Sequence, residues 1–191
     1  SAEVGVDTVC PLTGLDLDFN AQYNSFHQVA GGTAAADRLI LSAFASKDLG
    51  FAKAHLGYLH YNPFNKADDS QEIAFGLSRE LYGINTSLTY FWDIEGDNQG
   101  YAELALGKSY DVFGKTIDLN AAVGYLVEEG ELSHVTLSAS HDIAFGNATL
   151  TPYIAHVWEL DDLEQSIATG SAVVGSQENE LIGGVRLSVE F

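Results

Sequence analysis

The sequence predicts an all-β protein in which about ten antiparallel strands run up and down and form one transmembrane β-barrel. Three observations predict this fold. Apolar and polar residues alternate along many segments, as in strands with one apolar and one polar face. Short connections alternate with longer, acidic ones along the chain. No run approaches the roughly 18 apolar residues that a membrane-spanning helix needs, so a membrane could be crossed only by strands.

Alternation is clearest after Gly14, where the apolar set is Leu15, Leu17, Phe19, Ala21 and Tyr23 and the polar set is Asp16, Asp18, Asn20, Gln22 and Asn24. In a membrane barrel the apolar set contacts lipid and the polar set lines the lumen. Similar segments follow at 37–47, 51–62, 71–81, 84–94, 100–110, 116–127, 132–142, 148–159 and 180–191. Pro152 lacks the amide that a strand ladder needs, so an irregularity is predicted in segment 148–159.

Residues 1–13 show no clean period and are interpreted as an N-terminal extension, and residues 14–191 as a single barrel domain. Tight connections are predicted at 47–50, 82–83, 111–115 and 144–147. Longer acidic loops are predicted between them, including one that carries Glu128, Glu129 and Glu131. Short inner turns and long outer loops are typical of outer-membrane barrels. With ten strands, both chain ends are predicted at the short-turn end.

The last segment, 183–191, alternates strictly and ends on an aromatic residue. Val185, Leu187, Val189 and Phe191 form its apolar set. This segment resembles the C-terminal signal of bacterial outer-membrane β-barrels, and the chain as a whole resembles their small porin-like families. The resemblance implies a place in the Gram-negative outer membrane. It also implies contact with lipid and lipopolysaccharide, and recognition by the barrel insertion machinery.

The chain contains no Met and begins with Ser1 and Ala2, so we expect an exported protein from which a signal peptide has been removed. Cys10 is the single cysteine and cannot form an internal disulfide. It is interpreted as a lone thiol or as a candidate intermolecular contact.

The formal net charge is −19, from 27 acidic and 8 basic residues. Such a chain repels nucleic acid phosphates and favours cations as partners. The predicted lumen residues are Asp16, Asp18, Lys53, Glu103, Asp118, Arg186 and Glu190. Arg186 is predicted to pair with Asp16 or Asp18 where the last strand meets the first. About ten strands enclose a narrow interior, so a thin, cation-preferring passage is the most that is expected.

The acidic loops suggest divalent cations as the candidate cofactors. Asp93, Glu95 and Asp97 offer several hard oxygen ligands within one connection, the ligand type that Ca²⁺ and Mg²⁺ prefer. We hypothesise that such ions bridge the loops to lipopolysaccharide or to neighbouring barrels. The spacing of an EF-hand loop is absent, and a solvated hairpin tip is the simpler interpretation.

The sequence leaves three functions open. The first is passive, porin-like passage of cations or small solutes. The second is a structural, adhesive or self-assembling barrel that acts through its acidic loops and N-terminal extension. The third is a hydrolase at the outer rim, because His27, His60, His134 and His156 map near the long-loop ends of their strands. No catalytic residue is assigned and no enzyme is expected. A soluble β-barrel or sandwich is the alternative at the level of fold.

Overall fold

The computed structural model describes residues 2–24, 37–64, 69–94, 100–160 and 179–189. All regular structure in these ranges is antiparallel β-sheet. None of these ranges contains a helix long and apolar enough to cross a membrane. The all-β, up-and-down class predicted from alternation is confirmed, because almost every segment with a period of two forms a strand.

The described ranges contain twelve strands. They are β1 (Ala2–Val9), β2 (Asp16–Asn24), β3 (Arg38–Asp48), β4 (Lys53–Pro63), β5 (Ser70–Leu81), β6 (Ile84–Asp93), β7 (Tyr101–Val112), β8 (Lys115–Leu126), β9 (Glu131–Ser140), β10 (Ile143–Phe145), β11 (Ala148–Glu159) and β12 (Asn179–Val189). Strands β1 to β9 pair in chain order, and β11 pairs with β9, β10 and β12.

Strands β9 and β10 are two parts of one crossing. Both pair with β11 in a single register, which runs through Ser140 opposite Tyr153 and Ile143 opposite Leu150. The break between them lies opposite Pro152, which has no amide to donate. The irregularity predicted from this proline therefore falls on the partner strand, while β11 itself is continuous.

The predicted count of about ten strands is wrong. The N-terminal segment adds one strand, and the division of one crossing into β9 and β10 adds the other. Residues 2–9, interpreted above as part of an extension, form β1 and pair along their whole length with β2. The signal was present in the sequence, because Ala2, Val4 and Val6 alternate with Glu3, Gly5 and Asp7. Without β1, the sequence analysis places β2 next to the last strand.

The connections also differ from the prediction at two points. The connection between β8 and β9 is a turn at 127–130 rather than a long acidic loop, and Gly130 adopts a positive φ there. Because β1 adds one crossing, Ala2 lies at the long-loop end and Val189 at the short-turn end. The prediction that both chain ends lie at the short-turn end is therefore wrong.

Strand registers place alternate residues on two different faces. One, the apolar face, presents large apolar side chains to the outside, each between 42% and 58% exposed: Phe19, Leu41, Leu56, Leu77, Leu88, Leu104, Leu119, Leu137 and Val185. The other, the inner face, carries the buried cluster Ile40, Leu59, Tyr61, Ala74, Phe91, Tyr101 and Leu126. Burial on one face of a single sheet means that the sheet curls around that face.

The edges of the curled sheet approach each other without joining. Cα atoms of β1 and β12 come within 8 Å. Within the described strands, no hydrogen-bonded ladder connects the two edges, so the sheet is not closed.

Two hairpin turns hold aromatic residues in a left-handed conformation. Tyr82 and Phe113 have φ of 54° and 52°, and each precedes a glycine that also has a positive φ. This sequence of conformations is that of a tight two-residue hairpin turn. Both side chains are fully exposed at the tips of the short turns.

Candidate functional site

The inner face encloses a cavity of about 990 Å³ at the short-turn end of the sheet. Its polar lining includes Asp48, Lys53, Ser78, Asn85, Ser109, Asp118, Asn120, Ser140, Asp142, Thr151 and Arg186. These residues come from strands β3 to β9, β11 and β12 and from the turns beside them. The cavity, called the inner cavity below, therefore lies inside the curl.

Two ion pairs involve the basic residues of the inner face. Lys53 Nζ lies 2.9 Å from Asp16 Oδ2, across the intervening strand β3. Arg186 Nε lies 2.5 Å from Glu3 Oε2. The predicted pairing of Arg186 with Asp16 or Asp18 is wrong, because β1 occupies the edge position that the sequence analysis gave to β2. Glu3 is a residue that the sequence analysis missed.

Three of the four carboxylates that line the cavity accept hydrogen bonds from neutral groups. Ser109 Oγ donates to Asp118 and Thr151 Oγ1 donates to Asp142, each at 2.5 Å. The Gly50 amide donates to Asp48 at 2.6 Å. Such bonds orient a carboxylate but leave its charge in place. The cavity therefore retains a negative character.

An apolar cluster fills the inner face at the long-loop end. We call it the inner plug; it consists of Ile40, Leu59, Tyr61, Phe91, Tyr101 and Leu126. Cross-strand pairing places these side chains directly side by side, with Phe91 opposite Tyr101 and Tyr101 opposite Leu126. The Phe91 and Tyr101 rings lie 5.7 Å apart, and Tyr101 is only 2% exposed. The plug residues are thus buried to the degree that is typical of a protein core.

One charged residue is buried against the inner plug. Glu72 is 4% exposed, and its Oε2 accepts a hydrogen bond of 2.9 Å from the Tyr61 hydroxyl. The Arg38 guanidinium lies 5.9 Å from the centre of the Tyr61 ring. A buried carboxylate is tolerated when hydrogen bonds and nearby positive charge offset its lost hydration. Tyr61 therefore contacts both the Glu72 carboxylate and the Arg38 guanidinium.

Glycines make room for the aromatic rings of the plug. A Cβ atom at Gly124 would lie 2.6 Å from Tyr101 Oη and 2.8 Å from His134 Cε1. The Tyr101 ring also stacks on the His134 ring at 6.0 Å. Gly57 lies in the same way beneath the Phe44 ring. A side chain at either glycine would displace a ring that packs the interior.

The other predicted lumen residues lie on the inner face, apart from one that cannot be placed. Asp18 is opposite Asp7 of β1, and Glu103 accepts a hydrogen bond of 3.2 Å from the Tyr101 hydroxyl. Glu190 lies outside the described residues. The sequence analysis missed the plug residues. A signal was present in one strand, where the polar residues Asn85, Ser87 and Thr89 at alternate positions are followed by the apolar residue Phe91.

The candidate cation loop is described only at its start. Asp93 ends β6 opposite Glu72, whereas Glu95 and Asp97 lie outside the described residues. Within the described ranges, no group of three or more His, Cys, Asp or Glu side chains is arranged to hold a metal ion.

The described histidines near the long-loop end do not share one site. His60 lies on the apolar face and pairs with Asp69 at 3.5 Å. His134 stacks on Tyr101 inside the curl, and His156 packs edge-on against Trp158 at 4.2 Å. His27 lies outside the described residues.

The closing strand has the predicted alternation as far as it is described. Val185 is 48% exposed on the apolar face, and β12 includes Leu187 and Val189, which pair with Leu150 and Ala148. Phe191 lies outside the described residues, so its membrane-insertion role stays a prediction.

Cys10 lies in the turn between β1 and β2 as a free thiol. A hydrogen bond from Thr13 lowers the pKa of Cys10, and backbone amides of Leu12 and Thr13 act in the same direction. Because the thiolate is the nucleophile, a lowered pKa makes alkylation faster near neutral pH.

We expect Thr13→Ala to raise the pKa of Cys10 and to slow its alkylation at pH 7.5. The measurement is the rate of reaction with iodoacetamide from pH 6 to pH 10. Thr116→Ala, a matched change near the start of β8, serves as the control. Identical pH profiles for Thr13→Ala and the parent chain would contradict the assigned hydrogen bond.

Compared with known proteins, the chain matches no family model, no curated protein and no solved structure.

Proposed function

We propose that this chain is an integral outer-membrane β-barrel with a narrow, cation-preferring passage that the inner plug closes. The observation that carries the proposal is the charge distribution on the apolar face. The sequence contains 27 acidic residues, yet none of them lies on that face in the described strands. A soluble sheet in so acidic a chain would place carboxylates on its outward face.

The position of the basic residues on the apolar face also supports a membrane setting. Lys47, Arg79, Lys108 and Lys115 are on this face, and all lie near short turns. Long cationic side chains at one edge of an apolar belt reach lipid headgroups. Lys108 Nζ also lies 5.3 Å from the centre of the Tyr110 ring, and tyrosine is typical of membrane interfaces.

The interior supports a gated passage rather than an open pore. The inner cavity leads from the short-turn end into the curl, and the inner plug fills the long-loop half. The cavity lining contains four carboxylates and four basic residues, but two of the basic residues, Arg79 and Lys108, belong to the apolar face. On the inner face the four carboxylates therefore outnumber Lys53 and Arg186, which favours cations. In the plugged state, wild-type protein in a planar bilayer is expected to show little conductance.

A planar-bilayer experiment tests the passage. In a plug-opened background such as Tyr101→Ala, the current is expected to prefer cations, and Asp118→Asn is expected to reduce that preference. Glu128→Gln, in the turn at 127–130, removes an acidic charge away from the cavity and should leave selectivity unchanged. Anion selectivity in the opened background would reject the proposal.

A structural, membrane-anchored barrel is the second candidate function. The observation that favours it is the density of the plug, in which Tyr101 and the neighbouring Glu72 are almost completely buried. If liposome-inserted protein never conducts, even after plug residues are truncated, the anchored barrel is the better account.

A further inference from the structure

The two edges of the curled sheet run in the same direction. β1 and β12 both lead from the long-loop end to the short-turn end, whereas all paired neighbours in the sheet are antiparallel. The antiparallel pattern therefore cannot continue across this boundary, which we call the seam. The contact between its edges depends on side chains.

The polar contact that joins the edges is the ion pair between Glu3 and Arg186, at 2.5 Å. Glu3 Oε1 also accepts a hydrogen bond of 2.6 Å from Asn20 Nδ2 on β2. Glu3 is thus held on its own side of the seam, while Arg186 holds it from the other side. If the ion pair were broken, Glu3 would still accept the hydrogen bond from Asn20.

The seam separates two different environments. Arg186 lines the inner cavity, while Val4, Val6 and Val185 on the flanking strands are exposed on the apolar face. Small residues also border the seam: a Cβ at Gly183 would meet only one atom within 4 Å, the Tyr153 carbonyl oxygen at 3.8 Å. At Gly183 itself no side chain would have to move if the edges parted, whereas the neighbouring Gly184 is covered by the Tyr153 ring.

We propose that the seam is a lateral opening, latched by Glu3 and Arg186, that admits an amphiphile with a cationic polar group from the bilayer into the inner cavity. This inference rests on the proposed membrane location. The excess of carboxylates over basic residues on the inner face of the cavity favours a cationic polar group. The exposed valines beside the seam favour an apolar chain.

The test measures entry from the lipid phase. The protein carries Cys10→Ser and the cavity-lining reporter Ser140→Cys, and it is reconstituted in liposomes. The probe is a bilayer-dissolved maleimide with an alkyl chain and a quaternary ammonium group. Glu3→Gln and Arg186→Gln are each expected to raise the labelling rate about tenfold, because each removes one charge-assisted hydrogen bond that holds the seam shut.

Three controls separate the latch from a general loosening of the fold. Asp111→Asn removes an inner-face charge on β7, away from the seam and outside the cavity lining, and should leave labelling unchanged. A water-soluble maleimide, which reaches Ser140→Cys through the cavity mouth, should label all variants equally. The double change Glu3→Arg with Arg186→Glu restores an ion pair and should return the rate close to that of the parent chain.

Equal rates in Glu3→Gln, Arg186→Gln and Asp111→Asn would overturn the lateral opening. So would a parallel increase with the water-soluble probe, because that would indicate general loosening. Flotation of the same samples reports membrane insertion separately. Protein that fails to float with liposomes would overturn the membrane location, and the lateral opening with it.

Discussion

Leu88→Arg is expected to lower the free energy of unfolding in a bilayer by roughly 2–4 kcal/mol, the cost of a cation at mid-membrane depth on the lipid face of a barrel. Leu88 lies near the middle of β6 on the apolar face and is 57% exposed. The measurement is urea unfolding of liposome-inserted protein, followed by the fluorescence of Trp92 and Trp158.

The size of this effect discriminates between an apolar face in contact with lipid and an apolar face in contact with water. On the surface of a soluble protein, exchanging an exposed leucine for arginine changes stability by about 0.5 kcal/mol or less. Leu49→Arg is the matched control, because Leu49 is 47% exposed in the short turn between β3 and β4. Near the interface its expected cost is about 0–1 kcal/mol. Equal, small effects for both variants would contradict the membrane location.

Tyr101→Ala is expected to open the inner plug and to destabilise the protein by about 3–5 kcal/mol, the usual cost of truncating a large buried aromatic side chain. Tyr101 packs on Phe91, His134 and the surface of Gly124, so its loss leaves a gap in the centre of the plug. Single-channel recording is expected to show conductance clearly above that of the parent chain.

Two matched variants isolate the role of the ring. Tyr101→Phe keeps the ring and removes the hydroxyl that donates to Glu103, so the plug should stay closed. Tyr125→Ala makes the same truncation on the apolar face of β8, where the side chain is 40% exposed, and should not change conductance. Conductance that rises equally in Tyr101→Ala and Tyr125→Ala would show that the plug does not control the passage.

Alternation predicted most strands and both faces of the sheet, because side-chain direction in a strand depends only on the local period of two. Leu15, Leu17 and Phe19 are an example, since their pattern alone places them on one face of the strand and Asp16 and Asp18 on the other. The same rule also applies to residues 2–9. There the short apolar set Ala2, Val4 and Val6 was outweighed by the turn residues Pro11 and Gly14, and β1 was missed.

The plug could not be predicted in the same way, because its formation depends on which strands lie side by side. Leu59, Phe91 and Tyr101 occupy the same register as Lys53, Asn85 and Glu103, so alternation assigns all six to the inner face without distinguishing them. Their burial follows from cross-strand pairing at one end of the curl. The pairing of Arg186 with Glu3 likewise depends on the position of β1.

The shared direction of β1 and β12 has a consequence for sidedness. When β9 and β10 are counted as one crossing, the described strands run between the long-loop end and the short-turn end an odd number of times. In a bilayer, reporter groups attached next to Ala2 and next to Val189 would face opposite aqueous compartments. A protease added to one compartment is therefore expected to remove only one of the two reporters.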